Sequence, residues 1–384
     1  MPIMTREQRL TAIAAGRFGA ISIDTTVFDS KQCNFRDTAL RSLSQFKDGA
    51  VRLIVVDVIA NEMRAHLEKE AAEKQRTLKT AVRQQNLRWH RAPPAGEAQT
   101  LLLDGCPAEF ARTEFDDFAN HVGAQLLNAS DTPDAMQELF RRYFGAEPPF
   151  GTSDTRKHEF PDAAALLRLE AFAKQHKTLI LCVAQDKSWQ DFAKKSEHLV
   201  VAYPLEDALA VFSEAATHQD LANEIVRIWK SGEAPDFAQH VTDVIGERLE
   251  LADFDVEADS GPLFEVEPYS AELVDIDLDS LTLPLVLTAT DTTVTFSIRL
   301  KVTAEFFASF EFYAWDGTDR DDVSLGSEIA QTTDEIMLTL TIIAERDVSD
   351  GIEYEEVEVG YTPFSVNFGY VEAFPGEDPT HEKY

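Results

Sequence analysis

The chain has 384 residues, more than a single hydrophobic core usually serves, so two domains are expected. Its formal net charge is −33, and its three cysteines, Cys33, Cys106 and Cys182, are too few and too scattered for a disulfide framework or a zinc site; they read as ordinary buried thiols. The opening segment Met1 to Glu7 has no long apolar core, and no stretch approaches the ~20 apolar residues of a membrane span, so a soluble, cytoplasmic protein without membrane contact is predicted.

In chain order, Ala20-Ile21-Ser22-Ile23 reads as the end of a first strand, closed by Asp24. The run Leu53 to Ile59 reads as a second strand turning into a helix that carries Glu62 in its first turn. That helix is expected from Asn61 to about Arg91, with Met63, Leu67, Ala71, Leu78, Val82 and Trp89 along one face, and Pro93-Pro94 stop it. Its other face holds Arg64, Lys69, Lys74, Arg76, Lys79, Arg83, Arg88 and Arg91 mixed with Glu68, Glu70 and Glu73. Such a face is either solvated and laced with ion pairs or a surface that tracks a phosphate backbone. Residues 107–145 read as two short helices ending in a basic and aromatic spot, Arg141-Arg142-Tyr143-Phe144, and Pro148 to Ser153 as a loop. Asp162 opens a helix from Ala163 to Lys174, Asp186 follows the strand Thr178 to Ala184, and His198 to Tyr203 reads as a last short strand.

Residues 205–258 read as a helical connector, with Leu209, Phe212, Leu221, Ile225, Ile228 and Trp229 as apolar anchors and Ser231-Gly232 as a break. From about Leu263 the period becomes two, with strands predicted over Leu273 to Leu287, Thr293 to Thr303, Phe306 to Trp315, Ile336 to Ala344 and Glu353 to Val359. Asp316-Gly317, Asp350-Gly351 and Phe374-Pro375-Gly376 supply turns. An antiparallel sandwich or small barrel over 259–384 follows. The acidic turn Asp316 to Asp322 lacks the spacing of an EF-hand loop and reads as a solvated hairpin. From Ser260 to Tyr384 there are 5 Lys and Arg against 27 Asp and Glu, whereas the first 259 residues hold 30 against 41. The acidity is concentrated in the tail domain, which makes it a poor surface for a phosphate backbone and a better one for a protein partner, an inhibitor or regulation.

No Gly-rich phosphate loop, G-x-S-x-G, H-E-x-x-H or paired cysteine spacing occurs, and the histidines are scattered. What remains is acidic. Taken singly, a carboxylate at a helix start is usually a cap or a complement to the helix dipole. Asp24, Glu62, Asp162 and Asp186, however, each follow an apolar run or open a helix, and in an open α/β sheet such positions meet outside the carboxyl ends of the parallel strands. Carboxylates that meet repel one another, and a hard divalent ion such as Mg²⁺ or Mn²⁺ relieves that repulsion.

The segments Ile23-Asp24-Thr25-Thr26-Val27-Phe28, Val58-Ile59-Ala60-Asn61-Glu62, Phe160-Pro161-Asp162-Ala163-Ala164 and Leu181 to Trp189 resemble the four acidic segments of the PIN-domain nucleases. The likeness covers roughly residues 18–212 and is to the larger type with a helical insertion, here at about 64–150 of a domain spanning 1–204. It implies an α/β, parallel-sheet nuclease in which Asp24, Glu62, Asp162 and Asp186 are catalytic and hold one or two Mg²⁺ or Mn²⁺ ions. Thr26 stands where the family often has Asn, and Ser188 where a second acidic residue often follows Asp186. Asp191 is then a further candidate ligand from the next helical turn, and Thr25, Thr26, Lys157 and Lys187 are candidates for support or phosphate contact; Arg156, His158, Lys194 and Lys195 lie near the same acids. The implied substrate is RNA, because many relatives are endoribonucleases of toxin and antiphage systems. Structure-selective DNA cleavage and a catalytically idle scaffold, with or without self-association, are the alternatives.

Overall fold

The structure, a computed structural model, describes residues 4–89, 106–151, 154–213, 215–290, 292–316, 321–345, 352–360 and 364–373. Arg91, the Pro93-Pro94 helix stop, the Arg156 side chain and the turns at Gly317, Asp350-Gly351 and Phe374-Pro375-Gly376 lie outside the described residues. The chain divides into two compact units, Met1–Ala216 with Val286–Thr288, and Thr217–Leu285 with Ala289–Tyr384.

In the first unit, α1 (Arg6–Ala14) precedes β1 (Phe18–Ile23), α2 (Thr25–Asp29), α3 (Thr38–Arg41), β2 (Arg52–Val56) and the long α4 (Asp57–Trp89). Then come α5 (Pro107–Val122), β3 (Gln125–Leu127), α6 (Ala135–Gly145), α7 (Phe160–His176), β4 (Leu179–Val183), α8 (Lys187–Lys195), β5 (Leu199–Ala202) and α9 (Leu205–Ala210). The strands form one parallel sheet in the order β3-β2-β1-β4-β5. Ile21 is in register with Leu53 on one side and Leu181 on the other. Leu53 to Val56 and Ile180 to Val183 are almost wholly buried, as uninterrupted apolar strands must be when helices cover both faces. The chain order reverses between β1 and β4, and such a switch point opens a crevice at the carboxyl ends of the strands. Because α7 runs back along the sheet to feed β4, its N-terminus lies at that same end.

The helix expected from Asn61 begins at Asp57, with no break after β2. Asp57 accepts from the Ala129 backbone NH at 2.9 Å and so ties the helix start to the segment after β3. Arg64 is held by Asp116 of α5 at 2.6 Å and lies over Phe115, and Lys74 pairs with Glu70 at 2.8 Å. Part of the basic face is therefore laced with ion pairs, while Lys69, Arg76, Lys79 and Arg83 are exposed. A charged group also sits inside this unit: buried Lys31, after α2, lies 2.6 Å from Glu206 of α9 and 3.6 Å from Asp37. An ammonium this deep requires its counter-charges, so the group fixes the α2–α3 loop against α9. Among the cysteines, Cys33 and Cys182 are buried, but Cys106, at the cap position of α5, is exposed.

The second unit holds α10 (Ala215–Ser231), α11 (Pro235–Glu250), β6 (Asp255–Asp259), β7 (Leu263–Asp277), β8 (Leu285–Ala289, with Val286–Thr288 grouped in the first unit), β9 (Thr293–Asp316), β10 (Asp321–Glu345), β11 (Tyr354–Val359) and β12 (Ser365–Tyr370). An antiparallel sheet runs β11-β10-β9-β7, and β6 pairs with β12 in a small parallel sheet. The acidic C-terminal region is thus all-β beyond its two leading helices, and α11 packs on β7 and β11. The strands expected over Thr293 to Thr303 and Phe306 to Trp315 are one strand. Val294, Phe296, Ile298, Leu300, Val302, Ala304, Phe306, Ala308, Phe310 and Phe312 are all buried, so the alternation passes unbroken through the small Ala304 that looks like a gap in the sequence. The single strand expected over Leu273 to Leu287 is interrupted by a turn at Leu278–Ser280, where Asp277 accepts from the backbone NH groups of Asp279 and Ser280.

Candidate active site

Asp24 ends β1 and caps α2, and it is almost completely buried at 1% exposure. Its Oδ2 accepts from the Thr26 hydroxyl at 2.7 Å and its Oδ1 from the Thr25 hydroxyl at 3.4 Å. The Thr26 oxygen in turn accepts from the Gln185 backbone NH at 3.3 Å, and Asp24 NH donates to Val183 O at 3.0 Å. Thr26 therefore joins the ends of β1 and β4. Burial raises the Asp24 carboxyl above its ordinary pKa, the bonds from Thr26 and Thr25 partly offset this, and Asp186 adds to it.

Asp186 caps α8, with Oδ1 accepting from Ser188 NH at 2.7 Å. Asp162 lies in the first turn of α7, where the buried Trp189 of α8 donates its indole NH to Oδ1 at 2.9 Å. Oxygens of Asp162, Asp186 and Glu159 all lie within 4.8 Å of one another. Asp162 is pushed up to about 7, first by burial and then by the charges of Asp24, Asp186 and Glu159, against the lowering pull of the Trp189 bond. Glu62, on α4, keeps access to solvent, yet partial desolvation raises its carboxyl and Asp24 and Asp29 raise it further. Asp24, Glu62, Asp162 and Asp186 thus lie within electrostatic reach at the sheet's switch point.

Sequence reasoning missed Glu159. It precedes Phe160-Pro161 at the α7 cap position; burial raises its carboxyl and Asp186 adds to this, while Ser188 and Asp162 partly offset it. An acidic residue three positions before Asp162, across a proline, was the available signal. Asp191 is not in this group: it lies one turn along α8, paired with Lys194 at 2.6 Å, which lowers its pKa. Lys157, in the turn before α7, and Lys187, the first residue of α8, are both exposed.

The donor set is all oxygen, and burial together with neighbouring acids disfavours the charged forms of Asp24, Asp162 and Glu159. Such a set fits a hard divalent cation, which needs anionic oxygens and supplies the missing positive charge. A second group combines donors of different kinds: His66 Nδ1 is 3.0 Å from Asp29 Oδ1, and Cys33 Sγ is 3.7 Å from the same oxygen. Burial and the nearby Asp29 and Glu70 push the Cys33 thiol up to about 12, so it stays protonated.

Residues 21–189 match the family model described as PIN domain, a span that begins in β1 and ends with Trp189 beside Asp186. Over that span the chain is similar to a PIN domain. PIN domains have a nuclease-type fold and are generally metal-dependent, acting on nucleic acid, so both the parallel sheet and the acidic group conform to the family. No curated protein and no solved structure matches the chain. Among the described residues, no helix is long and apolar enough to cross a membrane.

Proposed function

We propose that this protein is a Mg²⁺- or Mn²⁺-dependent endonuclease that hydrolyses phosphodiester bonds, with RNA as the favoured substrate and a toxin or antiphage role in the cytoplasm. The reading rests above all on the acidic residues gathered at the switch point, where oxygens of Glu159, Asp162 and Asp186 lie within 4.8 Å of one another and buried Asp24 is close enough to raise the pKa of Asp162. Asp24, Glu62, Asp162 and Asp186 would hold the ion, with Glu159 completing the oxygen set. When bound, a divalent cation lowers the pKa of a water nucleophile and neutralises charge developing on the phosphate. The protein's own part is positional. Thr26 fixes Asp24 relative to β4, and Trp189 fixes Asp162 relative to α8, so the carboxylates are held in place before a substrate arrives. Lys187 and Lys157 supply exposed cations beside Asp186 and Asp162 for phosphate contact. The second unit, whose acids are spread over exposed strand positions, is read as regulatory or partner-binding.

Purified protein incubated with labelled single-stranded RNA, tRNA, and single- and double-stranded DNA, with Mg²⁺, Mn²⁺ or EDTA, tests this. Metal-dependent internal cleavage of RNA is expected. Cleavage confined to branched or duplex DNA would assign a structure-selective DNA nuclease, and binding without cleavage under every metal condition would assign a scaffold.

A further inference from the structure

Helix α6 carries Met136, Phe140 and Phe144 at successive four-residue intervals, a spacing that ordinarily marks a core face. Here the same face is open to solvent, with Met136 63%, Phe140 44% and Phe144 76% exposed. The rings of Phe140 and Phe144 are stacked, with centroids 6.2 Å apart and planes 21° apart. The stripe leads to the acidic site. Phe140 meets Phe160 edge-on at 6.4 Å, Tyr143 meets Phe160 at 5.0 Å, and Phe160 is the first residue of α7, two before Asp162. On the other side, Arg142 lies over Phe192 of α8, the helix that Asp186 caps.

The neighbouring cations are already engaged. Arg141 is bound by Glu138 and Glu147, and Arg142 by Glu138 and the Pro148 carbonyl. The spot that reads as basic and aromatic in the sequence therefore presents rings and little free positive charge, which is a surface for π-faces more than for phosphates. We infer that Phe140 and Phe144 form a stacking platform that seats unpaired bases of a single-stranded nucleic acid and leads the strand to the Asp162 site. This deepens the nuclease reading and rests on it for the strand's destination. Every base has a π-face, so stacking selects unpaired over paired strands without reading sequence, and the salt dependence of binding comes from phosphate contacts made elsewhere. A second copy of the chain is a weaker occupant. Three side chains burying at most ~150–250 Å² each fall short of the roughly 800 Å² per partner of a stable interface.

The test uses the full chain and fluorescence anisotropy with labelled unpaired RNA, unpaired DNA and RNA duplex of matched sequence, in Ca²⁺ to slow cleavage. Phe144→Ala, at an exposed position, should weaken binding of the unpaired strands at least ~5-fold and leave duplex binding and the salt slope unchanged, while Phe144→Trp should restore the affinity. Comparing the two unpaired strands decides whether the sugar matters. Equal binding of unpaired strands by wild type and Phe144→Ala overturns the platform even if the wild type cleaves RNA. So does a change in sedimentation of Phe144→Ala with unchanged binding, which would assign the stripe to contact between copies. Binding that depends on Phe144 without any cleavage in Mg²⁺ or Mn²⁺ would uphold the platform and refute the nuclease reading. A wild type that binds none of the strands refutes both.

Discussion

Both units are acidic, but their carboxylates live in different surroundings. Along β7, Glu265, Glu267, Glu272, Asp275 and Asp277 are all exposed, each in water of high dielectric where neighbouring charges interact weakly. At the switch point of the first unit the carboxylates are fewer, but burial and neighbouring acids raise Asp24, Glu62 and Asp162 above their ordinary pKa values. Among the described residues, neither group of convergent ligating side chains belongs to the second unit. The unit with the larger negative charge is therefore, among the described residues, the one without a convergent acidic group. Burial and convergence give acids chemistry, and their number sets only a long-range field that is screened over ~8 Å at physiological ionic strength.

If that contrast is right, the same Asp→Asn change should have opposite consequences in the two units. Asp24→Asn should reduce cleavage on the order of 10³-fold, because several kcal/mol of charge stabilisation pass through this group at tenfold per ~1.4 kcal/mol. Asp275→Asn on β7 should leave cleavage unchanged in the same gel assay, and a parallel loss there would erase the distinction. The next largest effect concerns the buried cation. Lys31→Met leaves Asp37 and Glu206 without their counter-charge and should destabilise the first unit by about 3–5 kcal/mol in urea unfolding. Removing Lys301 from its exposed pair with Glu335 should leave the unfolding midpoint in place.

A pH experiment sharpens the contrast. Without metal, Asp162 titrates near 7 in the folded protein, above the ~3.9 of an unfolded aspartate, so the folded state holds an extra proton between these values. The metal-free protein should therefore lose stability as pH rises from about 5 to about 8, and Asp162→Asn should flatten that slope. Thermal unfolding in EDTA at both pH values measures it, and identical slopes would remove Asp162 from the repelling group. The smallest effect is reserved for Glu159→Gln, which keeps the side chain's shape and removes one charge. It should lower activity roughly tenfold, the scale of a supporting contact near a metal site, and full activity would leave Glu159 outside the oxygen set.

The sequence was most legible where a strand ends in a carboxylate. Apolar runs before Asp24 and Asp186, and helix starts at Glu62 and Asp162, mark where a parallel sheet gathers its functional groups, and the observed order β3-β2-β1-β4-β5 brings β1 and β4 side by side. Glu159 was hidden because a residue ahead of a proline reads as a loop or a cap, and only the tertiary approach of α8 turns it toward Asp186. Asp191 shows the reverse. Its helical spacing suits a ligand, but the nearby Lys194 offers a closer partner. The stripe Met136, Phe140 and Phe144 misleads in the same way, since its periodicity specifies one face of a helix and does not specify what that face meets. In the second unit, Ala304 divides the pattern to the eye, although its small side chain points inward like its neighbours at even positions.

In the proposed site the clustered carboxylates repel one another until a divalent ion joins them. Thermal unfolding of wild type and Asp186→Asn, each with EDTA and with Mn²⁺, tests this most directly, because asparagine preserves the cap on α8 while removing one charge. The predicted result is a crossing: the variant at least as stable as wild type in EDTA, and Mn²⁺ raising the midpoint of wild type but not of the variant. Equal Mn²⁺ shifts in both proteins, or a variant less stable than wild type in EDTA, would contradict the claim.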